Sequence, residues 1–222
     1  MEKEVFKRRK IDFDLLQKFG FIRENDAYLY EREIYDGMIA RLFVSVDGSV
    51  KGEVFDADFH EPYVNFRLPS ASGAFVVGVR EAYRALLEEV ANAASTPKVY
   101  AGDQANRIND AIFSEYGVLP EFLWKKFPHF GVYRNASSKK WFAIIMDISR
   151  GKMFSGEEGV IEVMNLKLGD KSEEFIQEGA AHPAYHMNHD HWVTIVFDDG
   201  VPDEKIMQMI KLSFANTAKR KK

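Results

Sequence analysis

The stretch HPAYHMNHDHW, residues 182–192, gathers four of the chain's six histidines with Asn188, Asp190 and Trp192. These residue types open three chemistries. Imidazoles at His182, His186, His189 and His191, spaced four, three and two apart, have the composition of a divalent-metal site, which needs three or four convergent His, Asp, Glu or Cys donors. His186 with Asp190, or His191 with Asp147, joined by Ser149 or Thr194, has the composition of an acid–base or nucleophilic dyad. His, Asn and Trp together can also stack on and hydrogen-bond a nucleobase or another small ligand.

Each chemistry makes a demand on the backbone. A continuous helix would place His182, His186 and His189 on one face, but Pro183 argues for a loop running into a strand at Trp192, where only His189 and His191 would point the same way. With 34 carboxylates in the chain, a histidine with an acid nearby in sequence carries little information. No Gly-x-Ser-x-Gly elbow, Gly-x-x-x-x-Gly-Lys-Ser/Thr phosphate loop or His-Glu-x-x-His helix is present. No catalytic residue, metal ligand or cofactor is therefore assigned. The simplest account of the stretch is an ordered turn in which Asn188 caps backbone groups, His186 and His191 donate ring N–H groups to carbonyls, and Tyr185 and Trp192 anchor the ends in the core.

A chain of 222 residues is comfortable for two α+β domains, each able to bury its own core. Hydrophobic residues make up 46% and charged residues 29%, as in ordinary globular proteins, and no apolar run approaches the roughly 20 residues that cross a bilayer. The expectation is a soluble protein without membrane contact. The charged start MEKEVFKRRK has no apolar signal core, and the absence of cysteine removes disulfides and thiolate chemistry, so the cytoplasm is the expected location. At a net charge of −4 there is no bulk attraction for a polyanion. Positive charge concentrates at the two ends, in KRRK (Lys7 to Lys10) and KRKK (Lys219 to Lys222), which read as solvated tails before they read as phosphate contacts.

Periodicity supplies the elements that would position these residues. Ile11, Leu15, Leu16 and Phe19 predict a helix stopped by Gly20. AYLYEREI and MIARLFVSV predict strands, Asp47-Gly48 a hairpin turn into VKGEVFDA, and YVNFRL a fourth strand. Gly73 to Ala94 is the clearest amphipathic helix of this half. STPKVYAGDQ breaks the pattern, so the domains are expected to span 1–98 and 99–222. The second half predicts a helix closed by Gly117, a short helical turn in LPEFLWKKFP ended by Pro128, strands at FGVYRNA, KWFAIIMDI and GVIEVMNLKL, and a short helix with Ser172 as N-cap. A strand at WVTIVFDDG and a last helix opened by Pro202 complete it. The fold class is thus α+β, with each domain an antiparallel sheet flanked by helices.

With the elements placed, the second half resembles the MmcQ/YjbR family. The residues that carry the resemblance are LWKKFP (Leu123 to Pro128), KKWFAII (Lys139 to Ile145), VIEVMNLKL (Val160 to Leu168) and above all AYHMNHDHW (Ala184 to Trp192), followed by VPDEKIMQMIKLSF. The resemblance implies a fold like that of the bacterial frataxin CyaY, preceded by the extra N-terminal domain of longer members, and a DNA-binding role. One departure counts against that role: the family usually carries Lys where His189 stands here, with Asp190 beside it. Lys139, Lys140 and Trp141, at a hairpin, would contact phosphates and pack beneath them, while His186, Asn188, His191 and Trp192 complete a nucleic-acid or ligand-binding face. The alternative expectation is a non-enzymatic module whose partner is a protein or a small ligand. Iron delivery would rest on fold analogy alone.

Overall fold

A computed structural model, which describes residues 1–218, divides the chain into two compact units, Met1–Lys98 and Val99–Lys222. The first unit holds α1 (Glu2–Val5), β1 (Arg9–Ile11), α2 (Phe13–Phe19), β2 (Ile22–Glu24), β3 (Ala27–Tyr35), β4 (Met38–Ser45), β5 (Val50–Asp56), α3 (Ala74–Ala94) and β6 (Ser95–Pro97). Its main sheet is an antiparallel meander in the order β2-β3-β4-β5, and β1 pairs with β6 in a separate ribbon. Strict alternation along β4 buries Met38, Ala40, Leu42 and Val44 against Val79, Tyr83, Leu86, Leu87 and Val90 of α3. Sheet period two has met helix period 3.6 across one core.

Three expectations for this unit are corrected. Ile11 belongs to β1 and the helix starts at Phe13, because Asp12 takes the N–H groups of Asp14 and Leu15, both at 3.0 Å, on its side chain. YVNFRL forms no strand; it contains a 3-10 turn, Asn65–Arg67, and the fourth strand is β2. Its backbone finds another partner: Arg80 of α3 donates to the carbonyls of Phe66, Leu68 and Ala71 at 2.7, 2.9 and 3.0 Å, so the segment needs no ladder. Finally, KRRK is not a tail. Arg9 lies in β1 opposite Pro97 and donates to Ala91 O and Asn92 Oδ1.

The second unit holds α4 (Asp103–Tyr116), β7 (Glu121–Trp124), β8 (Phe127–Arg134), β9 (Trp141–Ser149), β10 (Val160–Lys167), α5 (Ser172–Gln177), β11 (His182–Pro183), β12 (Trp192–Val196) and α6 (Asp203–Thr217). Six antiparallel strands run in the order β11-β12-β10-β9-β8-β7. On one face the sheet packs against the helices through Ile108, Ile112, Tyr133, Phe142, Ile145, Met164, Leu166, Val193, Ile195 and Met209. Gly117 ends α4 with φ of 65°, a left-handed conformation in which glycine carries no Cβ penalty, and its N–H reaches Phe113 O at 2.9 Å.

Two further corrections fall here. LPEFLWKKFP is not a helical turn but the β7–β8 hairpin, turned by Lys125 and Lys126. A run of four mostly apolar residues has no diagnostic period. Pro128 is tolerated because the pairing of β8 with β9 begins only at Gly131, so its missing N–H breaks no ladder bond there. Ser172 is the first residue of α5 rather than its cap, and its hydroxyl donates to Gly169 O at 2.8 Å. The basic tail Lys219 to Lys222 lies outside the described residues. Among the described residues no helix is long and apolar enough to cross a membrane.

Candidate functional site

The hairpin loop between β8 and β9 is built on Asn135, which is almost fully buried. Its side-chain amide donates to Phe214 O of α6 at 3.0 Å, and its Oδ1 accepts from the backbone and hydroxyl of Ser137 at 3.0 and 2.8 Å. Backbone bonds from Asn135 N to Lys140 O and from Lys139 N to Asn135 O, both 2.9 Å, close the loop. This closure puts Lys139 in the left-handed region, φ 62°, where a side chain with a Cβ is disfavoured. Lys139 and Lys140 are exposed, and Trp141 behind them is half-buried. The Arg134 guanidinium stands 5.5 Å from the centroid of the Trp141 ring, with Trp124 edge-on at 5.7 Å.

The histidine stretch is fastened to the sheet by two buried polar side chains. Tyr185 N donates to Thr194 Oγ1, the Thr194 hydroxyl donates to Asn165 Oδ1, and the Asn165 amide returns to Tyr185 O, each at 2.7 Å. Asn165 and Thr194 are paired across β10 and β12 and are fully buried. The ring of bonds satisfies groups that would otherwise be costly at the centre of a sheet. Beyond it His186 takes φ 56° and lays its imidazole against the Tyr185 ring at 4.0 Å. Asn188 then caps the turn: its Oδ1 accepts from Asp190 N at 2.8 Å and its carbonyl from Trp192 N at 3.0 Å. The turn is moored to the start of α5's approach by Gly169 N, which donates to His191 O at 3.0 Å.

The imidazoles do not behave as the turn reading expects. Among the described residues neither His186 nor His191 makes a ring hydrogen bond to a carbonyl; His186, Asn188, His189, Asp190 and His191 are all exposed. Nor do the histidines converge. His182 sits in β11 opposite Thr194 with its ring edge-on to Phe154, and no group of three or more His, Asp or Glu among the described residues is placed to hold a metal. His191 with Asp147 is excluded as a dyad by the length of β9: Asp147 is six residues along from Trp141, roughly 20 Å at strand rise. Arg107 of α4 holds Asp199 at 2.5 Å and Asp203, the first residue of α6, at 2.7 Å.

Strand register brings the two predicted segments to one end of the sheet. Trp141 pairs with Arg134, Leu166 with both Ala143 and Val193, and Lys167 with Trp192. The Lys139–Lys140 tip, Lys167 and the His186 to Trp192 turn are therefore neighbours, with Trp141 and Trp192 two strand spacings apart, about 10 Å. Lys139, Lys140 and Lys167 have no ion-pair partner among the described residues, and Asp190 is the carboxylate of the turn. Lys152, Asp198 and Asp199 are at the opposite end, beyond the last residues of β9 and β12. Sequence reasoning missed Asn165, Lys167 and the anchoring role of Thr194. The available signal was a polar Asn inside the apolar run VIEVMNL, since a buried polar residue in a strand requires a partner.

The face of this sheet turned away from the helices carries Val132, Ile144, Met146, Ile148, Val163 and Val196. Phe154, edge-on to His182 of β11, and Tyr185, bonded to Asn165 of β10 and Thr194 of β12, pack on it from loops, as do Met153 and Met187. Trp124, Phe130 and Trp141, side chains of β7, β8 and β9 themselves, pack on it as well.

Comparison with known proteins follows this division of the chain. The family model YjbR matches residues 114–216. The Bacillus subtilis "Uncharacterized protein YyaQ" is 33% identical over 101 residues, which cover 45% of this chain and 86% of that protein. A crystal structure of a Pseudomonas syringae protein is 30% identical, with a TM-score of 0.46, covering 50% of this chain and 96% of the other. A Deinococcus radiodurans DUF419-domain protein is 22% identical, with a TM-score of 0.35, covering 47% and 74%.

Proposed function

Because this chain belongs to the YjbR family and carries an additional N-terminal region, we propose that its Val99–Lys222 unit is a cytoplasmic, non-enzymatic nucleic-acid-binding module. Contact is made at the sheet end formed by Lys139, Lys140, Trp141, His186, Asn188, His191 and Trp192, joined by Lys167. The observation that carries this reading is the register that sets three lysines without ion-pair partners beside two half-buried tryptophans at one sheet end. Lysines neutralise phosphates and release counterions, while Trp141 and Trp192 offer limited stacking. Affinity is then weak, steeply salt-dependent and nearly independent of base sequence.

Anisotropy of labelled DNA against the intact protein tests this at roughly 50 and 200 mM salt. Binding that survives removal of Lys219 to Lys222, weakens with salt and falls in a Lys139→Glu, Lys140→Glu double variant supports the reading. Absence of binding at the lower salt overturns it. A second reading, a protein or small-ligand surface, is favoured by one observation: Lys152 lies at the far end of the sheet, so the basic residues form no continuous stripe along one edge.

A further inference from the structure

The β7–β9 half of the open sheet face carries an unbroken chain of aromatic rings. Phe127 stacks on Phe130, with centroids 4.7 Å apart and planes 17° from parallel. Phe130 meets the edge of Trp124 at 6.3 Å, and Trp124 meets Trp141 edge-on at 5.7 Å. Among the described residues packed on this face, Met153, Phe154, Tyr185 and Met187 come from loops, and Trp124, Phe130 and Trp141 from the strands themselves. Phe127 is 43% exposed. The chain of rings begins at the β7–β8 turn with Lys125 and Lys126 and ends at the β8–β9 loop with Lys139 and Lys140. All four lysines are exposed and without an ion-pair partner among the described residues. The carboxylate that strand pairing places on this half-face, Glu121 opposite Val132, is held by Arg134 Nε at 3.0 Å.

We infer that this half-face is a stacking track for single-stranded nucleic acid, with bases on Phe127, Phe130, Trp124 and Trp141 and phosphates on the lysine pairs at its two ends. The inference rests on the nucleic-acid reading above and narrows it to one substrate class. Two physical arguments select the single strand. Rings lying in a sheet face can stack only on bases that are already unstacked, whereas a duplex is read by an element that enters its groove. The lysine pairs also flank a chain of four rings joined by centroid steps of 4.7, 6.3 and 5.7 Å, which suits a strand of about four nucleotides, one base to a ring. The ammonium of Lys126 stands 5.7 Å from the Phe127 ring and the guanidinium of Arg134 5.5 Å from Trp141. An incoming base displaces each cation from the ring toward the base's own phosphate, so the groups that cover the track in the free protein become its phosphate contacts.

The test uses the intact protein and a labelled thymidine oligomer of about ten nucleotides, compared with a duplex of the same length. The single strand is expected to bind at least about tenfold more tightly and to quench the tryptophan emission, since all three tryptophans lie in this unit. Phe127→Ala, at an exposed position whose loss leaves the core intact, weakens single-strand binding by roughly five- to a hundredfold. Lys125→Glu with Lys126→Glu, which touches no buried group, flattens the salt dependence as expected for lost phosphate contacts, by about 0.7 in slope per lysine. Equal affinity for both forms, unchanged by Phe127→Ala but lost in Lys139→Glu, Lys140→Glu, overturns the track and leaves the broader reading standing. No binding of either form at low salt overturns both, and a Phe127→Ala variant that only changes self-association assigns the face to a second copy of the chain.

Discussion

The amide of Asn165 donates to the carbonyl of Tyr185, 2.7 Å away and 20 residues further along the chain, while its own carbonyl accepts the hydroxyl of Thr194. A single buried side chain thus decides that the histidine stretch lies over the sheet. Asn165→Leu removes the lock and strands Thr194 Oγ1 and Tyr185 O, at a cost of about 1–3 kcal/mol. Hydrogen exchange should then accelerate in residues 184–191 while the β9–β10 ladder stays protected. Unchanged exchange in that segment would show that Asn188 and its turn hold it without help from the sheet.

Lys139 tests whether the hairpin tip is built for stability. Its φ of 62° costs a non-glycine residue about 1–2 kcal/mol, partly offset by the conformational entropy glycine would lose on folding. Lys139→Gly is expected to leave stability unchanged or raise it by up to about 1 kcal/mol, yet to weaken oligonucleotide binding. Denaturant titration and anisotropy on the same variant check both halves of the statement. A loss of stability would mean that the lysine stem packs on the loop.

In the first unit Glu2 is buried and accepts both Arg67 Nη groups, at 2.5 and 3.1 Å, as well as the Tyr83 hydroxyl at 2.5 Å. Burial pushes its carboxyl up, but the hydrogen bonds from Arg67 and Tyr83 outweigh it and hold the group at about 2. The folded value lies below the unfolded one, so this contribution is fully present above about pH 4.5 and is lost as pH falls toward 2. It amounts to on the order of 2–3 kcal/mol. Urea titrations between pH 6 and pH 2.5, followed by tyrosine fluorescence because this unit has no tryptophan, should show the loss in the native protein and a flatter profile in Glu2→Gln.

Gly131 sits where β8 crosses the Tyr100 side chain; a Cβ there would fall 2.0 Å from the tyrosine oxygen and 3.0 Å from Pro120 Cβ. That oxygen is bonded to the Tyr133 hydroxyl at 3.0 Å, which in turn donates to Asn109 at 2.9 Å. Gly131→Ala therefore overpacks a closed polar chain and is expected to cost roughly 1–3 kcal/mol or more. Combining it with Tyr100→Phe should cost less than the sum of the two changes, a coupling that thermal denaturation of the four proteins measures. Simple additivity would place the strain elsewhere.

Much of this molecule was legible without coordinates. The α3 and α4 helices follow from apolar residues at 3.6 spacing and a terminal Gly117, and β4, β9, β10 and β12 from alternation or apolar runs. The family-bearing motif at Ala184 to Trp192 was visible as a string of residue types, as was the capping role of Asn188, because an Asx turn is a local contact two residues long. What the sequence could not decide depends on partners far away along the chain. Whether YVNFRL is a strand rests on Arg80, and whether the histidines face a metal or solvent rests on Asn165 and Thr194. LPEFLWKKFP became a hairpin rather than a helical turn because β8 offered it an edge to pair with. Local pattern determines which elements are available and which faces are apolar; only the closed sheet decides which loops share an end and which rings are left uncovered, because those relations arise from register between strands that the sequence separates.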